Sequence, residues 1–168
     1  MIKNYPLIFG VGNPLIDIVI KASESDLINL ELNKGTMELV DEVRQKEILN
    51  YYKDHNLLYF PGGSAPNTML ACAGLGINSH IAGRVANDEL GDIYIKRVDD
   101  YGTDSGIVRG EGITGSSIIL VTPDGERTMN TNLGVCQEFS SINIDKMKLS
   151  NADYLYFTGY MWDTESQK

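Results

Sequence analysis

Positive charge is scarce in this chain: 14 Lys and Arg stand against 23 Asp and Glu, a formal net charge of −9 over 168 residues. Nucleic acids and anionic membrane surfaces need a basic footprint, so neither is the expected partner, and any phosphate must be met by local donors. Cysteine is scarcer still. Cys72 lies in an apolar helical stretch and Cys136 far from it, which gives neither a disulfide framework nor metal-ligand spacing. Both are expected to be packing residues in a reducing cytoplasm. Met1 to Pro6 hold no long apolar run, so neither a secretory signal nor a membrane-spanning helix is expected. Repeats, low-complexity tracts and charge blocks are also missing. What remains, 42% hydrophobic and 22% charged, suffices for one buried core, in one domain or a piece of one.

Several catalytic signatures are absent as well. Gly10-x-Gly12 follows an apolar strand, but Leu15 stands where a dinucleotide fingerprint needs its third glycine, and Pro14 follows where its helix would start. No Gly-x-x-x-x-Gly-Lys-Ser/Thr loop and no Gly-x-Ser-x-Gly elbow occurs. His55 and His80 have no ligand-spaced partner and read as surface or core histidines.

The elements that are present alternate. Leu7 to Val11 and Leu15 to Ile20 read as strands broken by Gly12-Asn13-Pro14. A short helix over Ser25 to Leu30 and a small strand, Thr36 to Val40, follow; Asp41 caps a helix running to about Asp54. Leu57 to Phe60 is extended, Ser64 to Leu75 is a helix with Ser64 as its N-cap, and Gly76 stops it. Asn78 to Gly83 is a strand, and from Asn87 or Asp88 a helix places Leu90, Ile93, Tyr94, Val98 and Tyr101 on one face. Ser116 to Thr122 and Glu126 to Asn132, joined by Pro123-Asp124-Gly125, read as a hairpin to which Ser105 to Val108 adds a third strand. A short helix over Ile144 to Leu149 and a strand, Tyr154 to Thr158, close the pattern. Alternating β and α elements imply a mostly parallel sheet covered by helices, with the hairpin and the Thr36 strand as a small antiparallel appendage. Thr164 and Gln167 are spaced as a capping box. Asp163 to Lys168 therefore read either as a helix start cut short or as an untethered polar tail.

Gly62-Gly63-Ser64-Ala65-Pro66-Asn67 hands a strand to a helix. It is either an ordinary turn or a binding loop whose backbone can approach a ligand closely, with first-turn N–H groups and the Asn67 amide toward an electron-rich oxygen. Asp17 sits in the apolar run Leu15 to Ile20. It either faces solvent or backbone amides, or accepts hydrogen bonds from the vicinal hydroxyls of a sugar. Strand alternation puts Arg127, Met129 and Thr131 on one face of the hairpin and Thr128, Asn130 and Asn132 on the other. Arg127 is then either a solvated cation or a contact for an anion.

Three segments together, Gly10 to Asp17, Gly62 to Thr68 and Gly83 to Gly91, resemble the amino-terminal half of a ribokinase/PfkB-type carbohydrate kinase. Pro123 to Asn130 and Gly159 to Asp163 tilt the likeness toward the adenosine-kinase-like branch. The resemblance implies a partial three-layer α/β/α ribokinase-like fold with a small antiparallel β lid from segments at about 15–20, 36–40, 57–62 and 105–132. It implies ATP- and Mg²⁺-dependent transfer of phosphate to a primary hydroxyl of a sugar or nucleoside. By the same resemblance Asn13 and Asp17 hold ribose hydroxyls, Gly62, Gly63, Ser64 and Asn67 complete the sugar site, and Arg127 faces the transferred phosphoryl group. Met129, Thr131 and Met161 line the base pocket. The family's catalytic Asp-Thr-x-Gly-Ala-Gly-Asp and its Asn-x-x-Glu metal motif do not occur in this sequence. The chain thus reads as the substrate-binding and lid half of a kinase, inactive alone, with self-association through an exposed sheet or lid. The alternative is a non-catalytic sugar- or nucleoside-binding or assembly module.

Overall fold

The computed structural model describes residues 5–162 and 164–168. Its elements run in chain order as β1 (Leu7–Val11), β2 (Leu15–Lys21), α1 (Glu24–Asn29), β3 (Met37–Leu39), α2 (Glu42–Tyr51), β4 (Leu58–Gly62) and α3 (Ser64–Gly74). They continue as β5 (Asn78–Ala86), α4 (Glu89–Asp100), β6 (Asp104–Gly110), β7 (Thr114–Val121), β8 (Arg127–Gly134), α5 (Lys146–Ser150) and β9 (Tyr154–Phe157), with 3₁₀ turns at Val135–Glu138, Ser141–Asn143 and Gly159–Trp162.

Two sheets form. One has the order β6-β5-β1-β9, all parallel; the other, β3-β8-β7-β2-β4, is mixed. In the mixed sheet β2 pairs β4, and β7 pairs β8, antiparallel, whereas β2–β7 and β3–β8 are parallel. The mixed sheet thus adds β2 and β4 to the hairpin and the Thr36 strand, as the lid segments of the family resemblance imply, and it is only partly antiparallel. The strand near Ser105 also lands elsewhere: β6 pairs parallel with β5 at the edge of the first sheet, not with the hairpin. The intervening α4 is a crossover helix, and a crossover returns the chain parallel.

Ile16, Ile18 and Ile20 on β2, with Ile118 and Leu120 on β7, form one side of the main core, and α1 to α4 cover them through Leu27, Ile48, Met69 and Tyr94. A second cluster joins Phe9, Val11, Ala82, Phe139 and Met161. Gln45 of α2 and Ser116 of β7 lock helix to sheet in the buried interior: the Gln45 amide donates to the Ser116 carbonyl at 3.0 Å and accepts from its hydroxyl at 3.2 Å. The two histidines separate as their isolation suggested, His55 exposed and His80 1% exposed with Nδ1 2.9 Å from Asp104.

Some boundaries differ from the sequence expectation. α2 ends at Tyr51, where the buried Tyr52 completes its apolar face and His55 N–H turns back onto the Tyr52 carbonyl at 2.9 Å. Tyr101 is 52% exposed, since it is the C-cap of α4 and has rotated off the buried face. α3 is capped by Gly63, not Ser64, with no side-chain acceptor for its first N–H groups. Its other end does close on Gly76, where Gly76 N–H bonds Ala73 and Ile77 N–H bonds Cys72 in the paired Schellman pattern. The capping box at Thr164 does not form: Gln167 N–H bonds the Thr164 carbonyl at 3.3 Å, and the Thr164 hydroxyl goes to the Gln167 side chain. Asp163 lies outside the described residues.

Asp88 anchors α4 to the mixed sheet. Its carboxylate accepts from Gly91 N–H, Thr114 N–H and the Thr114 hydroxyl at 2.8, 2.8 and 2.6 Å. Burial pushes its pKa up, but these bonds and the Arg109 charge outweigh that and leave it below the ordinary carboxylate range. Asp88→Ala is expected to cost about 2 kcal/mol in urea unfolding, a helix cap plus a lost inter-element bond; a loss under about 0.5 kcal/mol would contradict the anchoring role.

Candidate active site

In a sheet, residues in register on neighbouring strands point to the same side. Through the pairing of β4, β2, β7, β8 and β3, one row across the mixed sheet reads Phe60, Asp17, Ser117, Thr131 and Leu39. The next reads Leu58, Val19, Ile119, Met129 and Met37 and is wholly apolar. Because Ile16, Ile18 and Ile20 occupy the opposite face of β2 in the core, both rows lie on the open face. Arg127 sits one row further, opposite Val121.

This face forms one wall of a cavity of about 360 Å³. Asp17, Ser117, Thr131, Met129, Ile119, Leu15, Leu133 and Arg127 line it from the sheet, Met37 and Leu39 from β3. The opposite wall is built from connecting segments: Asn13 between β1 and β2, Gly63 and Ser64 at the junction of β4 and α3, and Thr158 and Tyr160 after β9. The cavity therefore has a polar end and an apolar floor.

Asp17 makes no side-chain hydrogen bond or ion pair among the described residues. Burial raises its pKa above the usual 3.8, and the Arg127 charge offsets only part of that. Gly62 makes room for the carboxylate: a Cβ there would lie 2.3 Å from Asp17 Oδ1. Gly63 (φ +95°) lets the loop close on the Asn13 backbone, since a Cβ would fall 2.2 Å from the Asn13 carbonyl oxygen. Ser117 and Thr131 hydroxyls bond each other at 2.8 Å on the wall. Asn13 is 8% exposed, and its Oδ1 accepts from Gln167 at 2.7 Å.

Of the residues singled out from sequence, Asn13, Asp17, Gly63, Ser64, Arg127, Met129 and Thr131 meet at this cavity. Gly62 is buried behind Asp17. Asn67 is exposed one turn into α3 and does not line the cavity. Met161 turns away into the cluster with Phe9 and Phe139, and Tyr160 takes the place on the wall. Ser117 and Ile119 were missed although the alternation applied to β8 finds them equally on β7. Cys136 is buried, its thiol pushed up to about 12 by desolvation, which suppresses the thiolate; Cys72 packs against the main core.

Residues 36–168 match the family model described as pfkB family carbohydrate kinase. The chain belongs to that family. Among curated pfkB-like relatives, an ATP-dependent ribose-1-phosphate kinase of Halopiger xanaduensis is 33% identical over 105 residues, 61% of this chain and 36% of the relative. An uncharacterized sugar kinase of Escherichia coli K12 is 31% identical over 99 residues, 59% of this chain and 31% of the relative. Among solved structures, the adenosine kinase from Sinorhizobium meliloti superposes with a TM-score of 0.85 at 33% identity, covering 97% of this chain and 50% of that one. A probable sugar kinase from Rhizobium etli gives 0.84 at 35% identity, covering 95% and 48%. The pfkB chain described here thus spans about a third of those curated relatives' length and half of those solved chains. The fold is the ribokinase-like α/β arrangement of its adenosine kinase neighbours. Among the described residues no helix is long and apolar enough to cross a membrane.

Proposed function

We propose that this chain forms the substrate-holding and lid portion of an ATP-dependent nucleoside or sugar kinase, with a nucleoside as the better-fitting acceptor. The observation that carries the reading is the half-buried Asp17 carboxylate, with no hydrogen bond or ion pair among the described residues, at the polar end of a cavity whose floor is apolar. A carboxylate accepts from two hydroxyls at once, and an uncharged ring system fits the row Ile119, Met129, Met37. Asn13 lines the same cavity and is assigned to the same sugar. Arg127, at the cavity's edge without an ion-pair partner among the described residues, is placed to meet the phosphoryl group. The mixed sheet acts as the lid that keeps water, a competing acceptor, from the reacting hydroxyl.

ATP and Mg²⁺ supply the phosphoryl group and the charge neutralisation in this family's reaction. The donor set here does not fit their main site: no group of three or more His, Cys, Asp or Glu able to hold a cation occurs among the described residues. The Asp-Thr-x-Gly-Ala-Gly-Asp motif is not in the sequence. We therefore route no chemical step through these residues and assign them binding, orientation and water exclusion; the 168 residues alone should not turn over. The exposed β9, with Leu155 at 53% and Tyr154 at 63%, supports association through that edge of the parallel sheet.

Calorimetric titration tests the assignment. Adenosine is expected to bind at least about tenfold more tightly than ribose or fructose, since only it covers the apolar floor. Absence of heat with all three ligands would overturn the reading, and tighter binding of fructose would overturn the nucleoside preference.

A further inference from the structure

Asn13 can offer a ligand either its carbonyl or its NH₂, and which one it offers is settled outside the cavity. The Gln167 side-chain nitrogen lies 2.9 Å from the Cys136 main-chain carbonyl oxygen and 2.7 Å from Asn13 Oδ1. A main-chain carbonyl only accepts, so the Gln167 NH₂, not its oxygen, must face Cys136. The second hydrogen of that same NH₂ then requires an acceptor on Asn13, which fixes Asn13 Oδ1 toward Gln167. The Gln167 oxygen is occupied independently by the Thr164 hydroxyl at 3.2 Å. The Ser166 hydroxyl also donates to the Gln137 carbonyl, tying the segment down beside Cys136.

We infer that Gln167 is a positioning residue that holds the Asn13 amide with its NH₂ toward the cavity. Resting on the sugar-site reading above, this sharpens what the site recognises. Asp17 can only accept and Asn13 is left able only to donate. A hydroxyl group satisfies both at once, donating to the carboxylate while accepting from the amide; a ligand position carrying only a donor or only an acceptor leaves one of the two unpaired. The relay thus selects a ribose with its secondary hydroxyls over one lacking them.

The test uses the full chain and two variants. Gln167→Glu presents only acceptors, which draws the Asn13 NH₂ away from the cavity; Gln167→Lys keeps donors for both oxygens and is the rescue. Adenosine affinity is expected to fall about tenfold in Gln167→Glu, one hydrogen bond's worth, while 2′,3′-dideoxyadenosine changes by less than about twofold, and Gln167→Lys stays within about twofold of the parent for both. In ¹H–¹⁵N spectra the Asn13 side-chain pair, assigned by its loss in Asn13→Asp, is expected to exchange with solvent about tenfold more slowly in Gln167→Glu, having gained a protein acceptor. Unchanged adenosine affinity together with unchanged Asn13 exchange overturns the inference. If the parent chain binds no adenosine, the sugar-site reading fails, and the Asn13 exchange rate alone decides the relay: slowed supports it, unchanged overturns it.

Discussion

Asp17→Asn is expected to weaken adenosine binding about 100-fold while leaving the fold at least as stable as before. The two effects have one cause. The carboxylate is half-buried and makes no hydrogen bond or ion pair among the described residues, so under the proposed function its hydrogen-bonding capacity goes to the ligand: two charge-assisted bonds exceed two neutral ones by roughly 2–3 kcal/mol in total. Without ligand the same group is a burden, because desolvation raises its pKa from 3.8 against only partial compensation by Arg127. Since the folded state then binds the proton more readily than the unfolded one, the burden is full above the folded-state pKa and is relieved as pH falls through it. Ligand affinity runs the other way, declining as pH drops through that raised value. Calorimetry across pH, with thermal unfolding of the parent and variant, measures both. Equal affinity in the two proteins would remove Asp17 from the site, and a large drop in melting temperature would make it structural.

Gly63→Ala is expected to cost about 4 kcal/mol of stability, a large share of the roughly 5–15 kcal/mol that holds a domain together. At φ +95° and ψ 135° the backbone is in a region that side-chain-bearing residues avoid, worth about 1–3 kcal/mol alone. The added Cβ would also stand 2.2 Å from the Asn13 carbonyl, which is backbone and cannot rotate away. Relief requires moving the Gly12-Asn13-Pro14 connection, whose own fit is tight: a Cβ on Gly83 would lie 2.6 Å from Pro14 Cγ. Urea unfolding reads the loss, and a cost below about 1 kcal/mol would show that the two loops are not packed as described. Gly74→Ala, where a Cβ meets nothing within 4 Å, is the matched control in a helix.

Much of this was legible before the structure because strand and helix periods are local. Alternation along β8 put Arg127, Met129 and Thr131 on one face, and all three line the cavity. Asp41 and Asp88 cap α2 and α4 as their types suggest. What failed was set by distant chain or by irregular backbone. Ser64 has a capping side chain, but Gly63 alone adopts the positive φ that the approach to Asn13 requires, which moves the cap back by one residue. Met161 and Tyr160 sit in a 3₁₀ turn, where neither period 2 nor period 3.6 says which side chain faces inward. β6 was misjoined because strand composition does not name a partner; the preceding helix does. Gln167 carried only the local capping-box signal, since its contacts are to a carbonyl and an amide far away in sequence.

The two hydrophobic clusters draw on different lengths of chain. Every buried member of the main one, from Ile16 to Leu120, belongs to the first three-quarters, whereas the other needs Phe139 and Met161 to join Phe9, Val11 and Ala82. The tie of Leu7 N–H to Asp153 spans 146 residues, next to β9, which flanks β1 in the parallel sheet. On a ribosome, β1 therefore waits for β9. The interior behind the mixed sheet can consolidate early, while one flank of β1 stays uncovered until β9 emerges, and closing so long a loop is expected to slow maturation.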